Sequence, residues 1–256
     1  MRFLIGFVVL WAVLAGTAAL DPSARWGPVV LAAVLVASVA VSVLLYRTPV
    51  REAVRALGLG RPTGRSLLAA AVVSLLVVLV FPVTAALSGA TIPLVADWPW
   101  ALIGVFTLHG LAEEMVWRGY AFRRLAEGRR FWPAVALTMP LIAVTHIPIV
   151  LASGPVVGGG AMIVAAVTSI AFSKLYVLGG GTLWAPGILH AAIDSFKLVV
   201  LPAAALAIYP YLIIGFSIVV PLLVLFVPDP ATAGRAGWQP RTPRRSAGSA
   251  DPTGAG

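Results

Sequence analysis

The chain contains no cysteine, which excludes disulfides, thiolate nucleophiles and cysteine-based metal sites and leaves its redox compartment unmarked. Charge is nearly as scarce: eleven per cent of the 256 residues are charged, and only nine are acidic. Lysine is reduced to Lys174 and Lys197, a bias toward arginine that fits a GC-rich genome as well as any arginine chemistry. No internal repeat is visible, which argues against transporter architectures built from inverted repeats. What fills the chain instead is apolar. Sixty per cent of residues are hydrophobic and the mean hydropathy is +1.00, which excludes a soluble enzyme and points to a polytopic membrane protein.

About 20 residues cross a hydrocarbon core, so the chain has room for roughly eight spans. Apolar runs of that length lie at residues 3–20, 28–46, 66–87, 98–120, 132–151, 160–178, 183–205 and 209–227. The expected fold is therefore all-α, a transmembrane helical bundle within a single domain over residues 1–227. The first run also has the charge, apolar core and small residues of a signal peptide, but is read here as a retained span. Arg47, Arg51, Arg55, Arg61 and Arg65 follow the second run, and Arg123, Arg124, Arg129 and Arg130 follow the fourth. Positive loops face the cytoplasm, so the expectation is a multi-pass protein of the cytoplasmic (inner) membrane with both termini inside. Residues 48–59 read as a short helix lying on the inner leaflet. Residues 228–256, rich in Pro, Gly, Ala, Ser and Arg, read as a disordered basic tail. The pI of 11.0 does not indicate nucleic acid, because the arginines are divided among membrane flanks rather than gathered on one face.

Against this apolar background Glu113, Glu114 and Arg118 stand in the fourth run, where each charge costs about 2.5 to 3.5 kcal/mol even on mild insertion scales. Asp194 stands in the seventh. The only three histidines, His109, His146 and His190, are all intramembrane. Glu114 and Arg118 are four residues apart and can pair on one helix face; His190 and Asp194 are spaced likewise. On an α-helix Glu113 points about 100° from Glu114 and can face another partner. With neutral histidines, three acids oppose one arginine. A protonated carboxyl, a protonated histidine, Lys197 or a divalent cation could each relieve the imbalance.

These are the groups that peptide hydrolysis needs without a serine or cysteine nucleophile: a carboxylate to take a proton from water, a histidine to share the transfer and polar groups for the oxyanion. Glu113, His146 and His190 could instead hold Zn2+ with an open position for water, although the usual His-Glu-x-x-His spacing is absent. His109, one turn before Glu113, could orient it, with an interhelical hydrogen bond as the default reading. One geometric tension arises. Glu113 and Asp194 lie about 15 Å from the starts of their runs' cytoplasmic ends, and His146 about 21 Å from its own. His146 meets them only if its helix is tilted, kinked near Pro140 or starts later than residue 132, the last being the reading preferred.

At these residues the chain resembles the CAAX protease and bacteriocin-processing (CPBP, or Abi) family of intramembrane endopeptidases. Its Glu-Glu-x-x-x-Arg signature stands as Glu113, Glu114 and Arg118, followed by Gly119. The second motif, an aromatic residue four before a histidine, corresponds to Ile142 and His146. The third, His-x-x-x-Asn or Asp, is His190 and Asp194, preceded by Gly181-Thr182-Leu183-Trp184-Ala185-Pro186. The resemblance covers residues 48–196. It implies a cavity open to the cytoplasm and the bilayer, in which Glu113 with His146 activates water, Glu114 and Arg118 organise the site, and His190 with Asp194 forms the oxyanion side. Members have been described both as zinc enzymes and as metal-free glutamate enzymes, so the cofactor stays open. Ile142 replaces the usual phenylalanine, and Asp194 the asparagine of eukaryotic CAAX processors, so prenylated substrates do not follow. The implied partners are membrane lipid and a membrane-associated protein or peptide. Two other readings compete: a proton- or ion-coupled transporter, since buried Glu, Asp and His also form relays, and a non-catalytic bacteriocin-immunity or scaffold protein of the same fold.

Overall fold

The computed structural model describes residues 1–21 and 23–228; the tail expected at residues 228–256 lies outside them but for its first residue. The chain is an all-α bundle. Helix α1 is Arg2–Ala18, α2 is Gly27–Tyr46 and α3 is the short Val50–Arg55. Helix α4 runs Gly64–Ser88, opened by Thr63, whose hydroxyl accepts from the Ser66 amide. Helix α5 occupies residues 98–126 and changes character along its length. Trp98–Val105 is α-helical, Phe106–Glu113 and Met115–Phe122 are π-helical, and Arg123–Ala126 returns to α. Then come α6 (Phe131–Thr145), α7 (Ile147–Leu178) and α8 (Trp184–Ile193), the last running on as a 3-10 turn over Asp194–Leu198. Helices α9 (Ala203–Leu206) and α10 (Tyr209–Val219, continued as a 3-10 helix over Val220–Phe226) complete the bundle.

Four stretches are long and apolar enough to cross a membrane: Gly27–Tyr46, Gly64–Ser88, Val157–Leu178 and Tyr209–Phe226. Helix α6 with the first limb of α7 would make a fifth. Their outward residues are apolar, Val36, Leu44, Leu68, Leu75 and Leu151 among them, as a bundle solvated by lipid tails requires. Trp98, Trp100 and Trp132 are also exposed near helix starts, where interfacial anchoring suits them.

Three expectations need correction. The seventh run, drawn over residues 183–205, is not one continuous helix: it stops at Leu198, the chain extends at Val199 to pair with Leu94, and helix resumes only at Ala203. The inner-leaflet segment is helical over Val50–Arg55 alone, with Val50 and Val54 facing out and Leu57 turned into the core. The third concerns α6, which begins at Phe131 as drawn, so no later start brings His146 inward. The axis instead breaks at His146, where α6 and the first limb of α7 meet at 54°. Pro148 explains the position: it has no amide to donate back toward Val144 and its ring crowds that carbonyl, so the helix stops and restarts with proline in its first turn. Pro140 is accommodated inside α6. A second break falls at Gly154, whose φ of 80° and ψ of 169° precede Pro155 and suit a residue without Cβ.

The two ends of the bundle differ in charge. At one end Tyr120 donates to the Phe3 carbonyl and bonds Tyr46, the Arg124 guanidinium lies 3.7 Å over the Tyr46 ring, and Trp184 donates to the Gly60 carbonyl. This end gathers Arg47, Arg51, Arg55, Arg61, Arg65, Arg123, Arg124, Arg129 and Arg130 near the N-terminus. The opposite end holds Arg25, clamped by Asp97 through two bonds, one of 2.8 Å from Nη2 to Oδ1. The hydrogen bond from Arg25 holds the Asp97 carboxyl below its ordinary range against partial desolvation.

Candidate active site

Helix α8 is wedged between α4 and the first π-helical part of α5. Contact with α5 is backbone to backbone: a Cβ on Gly187 would lie 2.4 Å from the Gly110 carbonyl oxygen, and one on Gly110 2.7 Å from that of Gly187. Only glycine at both positions permits this approach. The next turn of each helix therefore projects its side chains into the same small space, Glu113 and Glu114 from α5, His190 from α8 and Asp194 from the turn that follows.

Five of the polar residues named from sequence make one connected chain. Arg118 Nη1 donates to Glu114 Oε1 at 2.9 Å, and the same oxygen lies 2.7 Å from His190 Nδ1. An ionised carboxylate only accepts, so Nδ1 carries the hydrogen and Nε2 is left to face the rest of the site. That Nε2 lies 3.3 Å from Asp194 Oδ2 and 3.6 Å from Glu113 Oε2. Phe172 of α7 stacks on the His190 ring at 5.0 Å and receives the Arg118 guanidinium at 4.6 Å, so one aromatic ring supports both. Exposure is graded: Glu114 and Arg118 are sealed at 0% and 1%, whereas Glu113 and Asp194 keep 20% and 19%. The inner pair is closed off, and the outer pair can be reached.

Glu113 is paired with His109, the neighbour its spacing suggested, rather than with His146, its partner in the resemblance. Its Oε1 lies 2.6 Å from His109 Nδ1, one turn back on α5. His109 is also 3.7 Å from Asp194 Oδ2. The spacing of four from Glu113 was the available signal in the sequence; what obscured it was that no motif contains it.

His146 stands apart from this group. It caps α6 at the 54° break with Nδ1 on its own Ile142 carbonyl at 2.9 Å, and it makes no ion pair with a carboxylate among the described residues. The zinc triad of Glu113, His146 and His190 is consequently not assembled, and no cluster of three or more His, Cys, Asp or Glu suited to a metal ion occurs among the described residues. Ile142, the other member of that motif, is buried in the core.

Fold and site together define an all-helical membrane protein with a carboxylate–imidazole centre inside the bundle. Residues 95–196 match the family model of Rce1-like proteins, type II CAAX prenyl endopeptidases, and this supports assignment of the chain to the CAAX protease family. The match begins at residue 95 and contains every motif residue, while the resemblance drawn over residues 48–94 falls outside it. No curated protein and no solved structure matches the chain. At the level of the family, the match supports a CAAX-type intramembrane protease.

Proposed function

We propose that this protein hydrolyses peptide bonds of membrane-associated proteins or peptides, with Glu113 as the base that activates water. The observation that carries the reading is the meeting of Glu113, Glu114, His190 and Asp194 across the Gly110–Gly187 contact, in a setting where an unused charge would be strongly disfavoured. Glu113 is the partly exposed carboxylate, and its Oε2 faces His190 while Oε1 is occupied. It takes a proton from water as the oxygen attacks the scissile carbonyl; the C–N bond then breaks and the proton passes to the leaving amine. His190, held by Glu114, presents Nε2 between Glu113 and Asp194. In that position the ring separates an oxyanion from the Asp194 carboxylate, and as an imidazolium, with a proton on Nε2 as well as on Nδ1, it can donate to the oxyanion, which answers the repulsion that aspartate would otherwise cause. Glu114 and Arg118 do not meet substrate; they fix the ring. The resemblance also gives His146 a share in activating water, and the reading does not depend on it.

The basic end of the bundle is taken as cytoplasmic, and the site lies no more than about 15 Å from it along α5. Substrates would enter from that side or laterally from the inner leaflet. The test compares purified wild type with Glu113→Gln in matched detergent, on a library of membrane peptides read by mass spectrometry. Products from the wild type alone are expected, with a loss of at least about 10²-fold in the variant. Folded proteins that both leave the library intact, together with pH-gradient-dependent flux in proteoliposomes, would replace the peptidase by the transporter.

A further inference from the structure

The histidine that no motif includes occupies the most symmetrical position in the site. Two imidazoles lie between the same two carboxylates: His109 Nδ1 is 2.6 Å from Glu113 and 3.7 Å from Asp194, and His190 Nε2 is 3.6 Å from Glu113 and 3.3 Å from Asp194. Acid and imidazole alternate around a closed ring, with the two imidazole rings 6.2 Å apart. One ring comes from α5, the other from α8, and each reaches a carboxylate on its own element and one on the opposite element. His109 is only 14% exposed at its side chain, and its Nε2 is buried without a partner. A buried imidazole with one free nitrogen is costly as packing alone, whereas its other nitrogen makes one of the shortest contacts in the site.

From this geometry we infer that His109 is the positioning residue for the base: its Nδ1–H holds Glu113 Oε1 and so turns Oε2, the oxygen that takes the proton, toward His190 and the reacting water. The inference rests on the peptidase reading for its kinetic consequence, but the hydrogen bond itself does not. A carboxylate free to rotate offers either oxygen in many directions; one oxygen pinned at 2.6 Å by a side chain on the same helix leaves the other in a fixed direction. The groups facing His109 are Glu113 on its own helix and Asp194 and His190 from α8 and the turn beyond it, with Arg118 set apart on the far side of Glu114. Sequence spacing alone does not establish this arrangement, because Asp194 approaches only through the glycine contact.

The test uses two substitutions and one spectrum on the full chain. His109→Leu removes the donor at similar bulk and is expected to lower kcat about 10²-fold with KM little changed. His109→Asn places an amide N–H near the Nδ1 position and is expected to recover about tenfold of that loss. Wild-type kcat in His109→Leu would overturn the assignment. So would equal losses in both variants accompanied by equal falls in thermal stability, since that pattern marks packing. Independently of activity, only three histidines contribute to the spectrum of a 15N-histidine-labelled sample, so each is assigned by one substitution. A strongly deshielded Nδ1 proton on His109 that disappears in Glu113→Gln is expected; its absence from the wild type overturns the inference. If that proton is present while the wild type cleaves nothing, the pairing stands and the peptidase reading fails.

Discussion

Arg118 is the least exposed basic residue among the described residues and the one whose removal has the clearest consequence. Its guanidinium pairs with Glu114 at 2.9 Å with 1% and 0% side-chain exposure, so neither solvent nor lipid headgroups can replace a lost partner. Breaking a buried pair from one side costs about 3 to 5 kcal/mol because an uncompensated charge remains, whereas replacing both partners is often close to neutral. Arg118→Met is therefore expected to lower stability by about 3 kcal/mol or more in denaturant unfolding in detergent. Adding Glu114→Gln should return most of that loss while keeping an acceptor for His190 Nδ1. Additive losses in the double variant would contradict this account of the pair. The pair was legible in the sequence because a spacing of four inside an apolar run leaves few other outcomes. His109 was equally visible by spacing, yet its link to Asp194 depends on a contact between helices that no local pattern encodes.

At the scale of elements, the crossing of α5 and α8 decides whether the site exists. A Cβ at residue 187 would sit 2.4 Å from the Gly110 carbonyl, nearer than the 3.0 Å that real Cβ contacts essentially never breach. Gly187→Ala must then part the helices by several tenths of an ångström. Overpacking of this kind costs about 1 to 3 kcal/mol, against roughly 1 kcal/mol gained by alanine over glycine within a helix. The net effect on melting temperature is expected to be a modest fall. Activity should suffer more, by about 10²-fold, since catalytic geometry tolerates little displacement. Gly16→Ala is the control: nothing lies within 4 Å of its Cβ position, so the helix term acts alone and stability should hold or rise. Cleavage unchanged in Gly187→Ala would show that the crossing does not set the site. Most of the helices could be placed from hydropathy, because burial in lipid demands continuous apolar runs. Their interruptions could not. The His146 break follows from Pro148 and not from Pro140, and choosing between the two requires knowing which carbonyl each ring meets. The π-helical course of residues 106–122, where hydrogen bonds run to the fifth residue, has no hydropathy signature at all, and it makes the α-helical angle between Glu113 and Glu114 an inexact guide.

For the whole molecule the decisive feature is the segregation of arginine at one end, with Arg25, alone among the loop arginines of the described residues, at the other and bound there to Asp97. The asymmetry follows the positive-inside rule and gives an orientation that can be checked directly, because a chain without cysteine is a clean background for single introduced thiols. Arg51 and Arg129 are exposed at the basic end, and Thr91 is exposed at the other, close to the pairing of Leu94 with Val199. Arg51→Cys and Arg129→Cys should react with an impermeant maleimide only in inside-out vesicles, and Thr91→Cys only in right-side-out ones. Labelling of Thr91→Cys and Arg129→Cys from the same face would mean that residues 98–126 do not cross the membrane, and the site would then lie at a surface, where Glu113 and Asp194 would meet bulk water. If the expected sidedness holds, Glu113 lies within the half of the membrane nearer the arginines. The same charges that orient the bundle would then face the inner leaflet beside the entrance to the site, and anionic lipid held there would bring acidic peptide segments no advantage while basic or amphipathic substrates already bound to that leaflet would arrive concentrated in two dimensions.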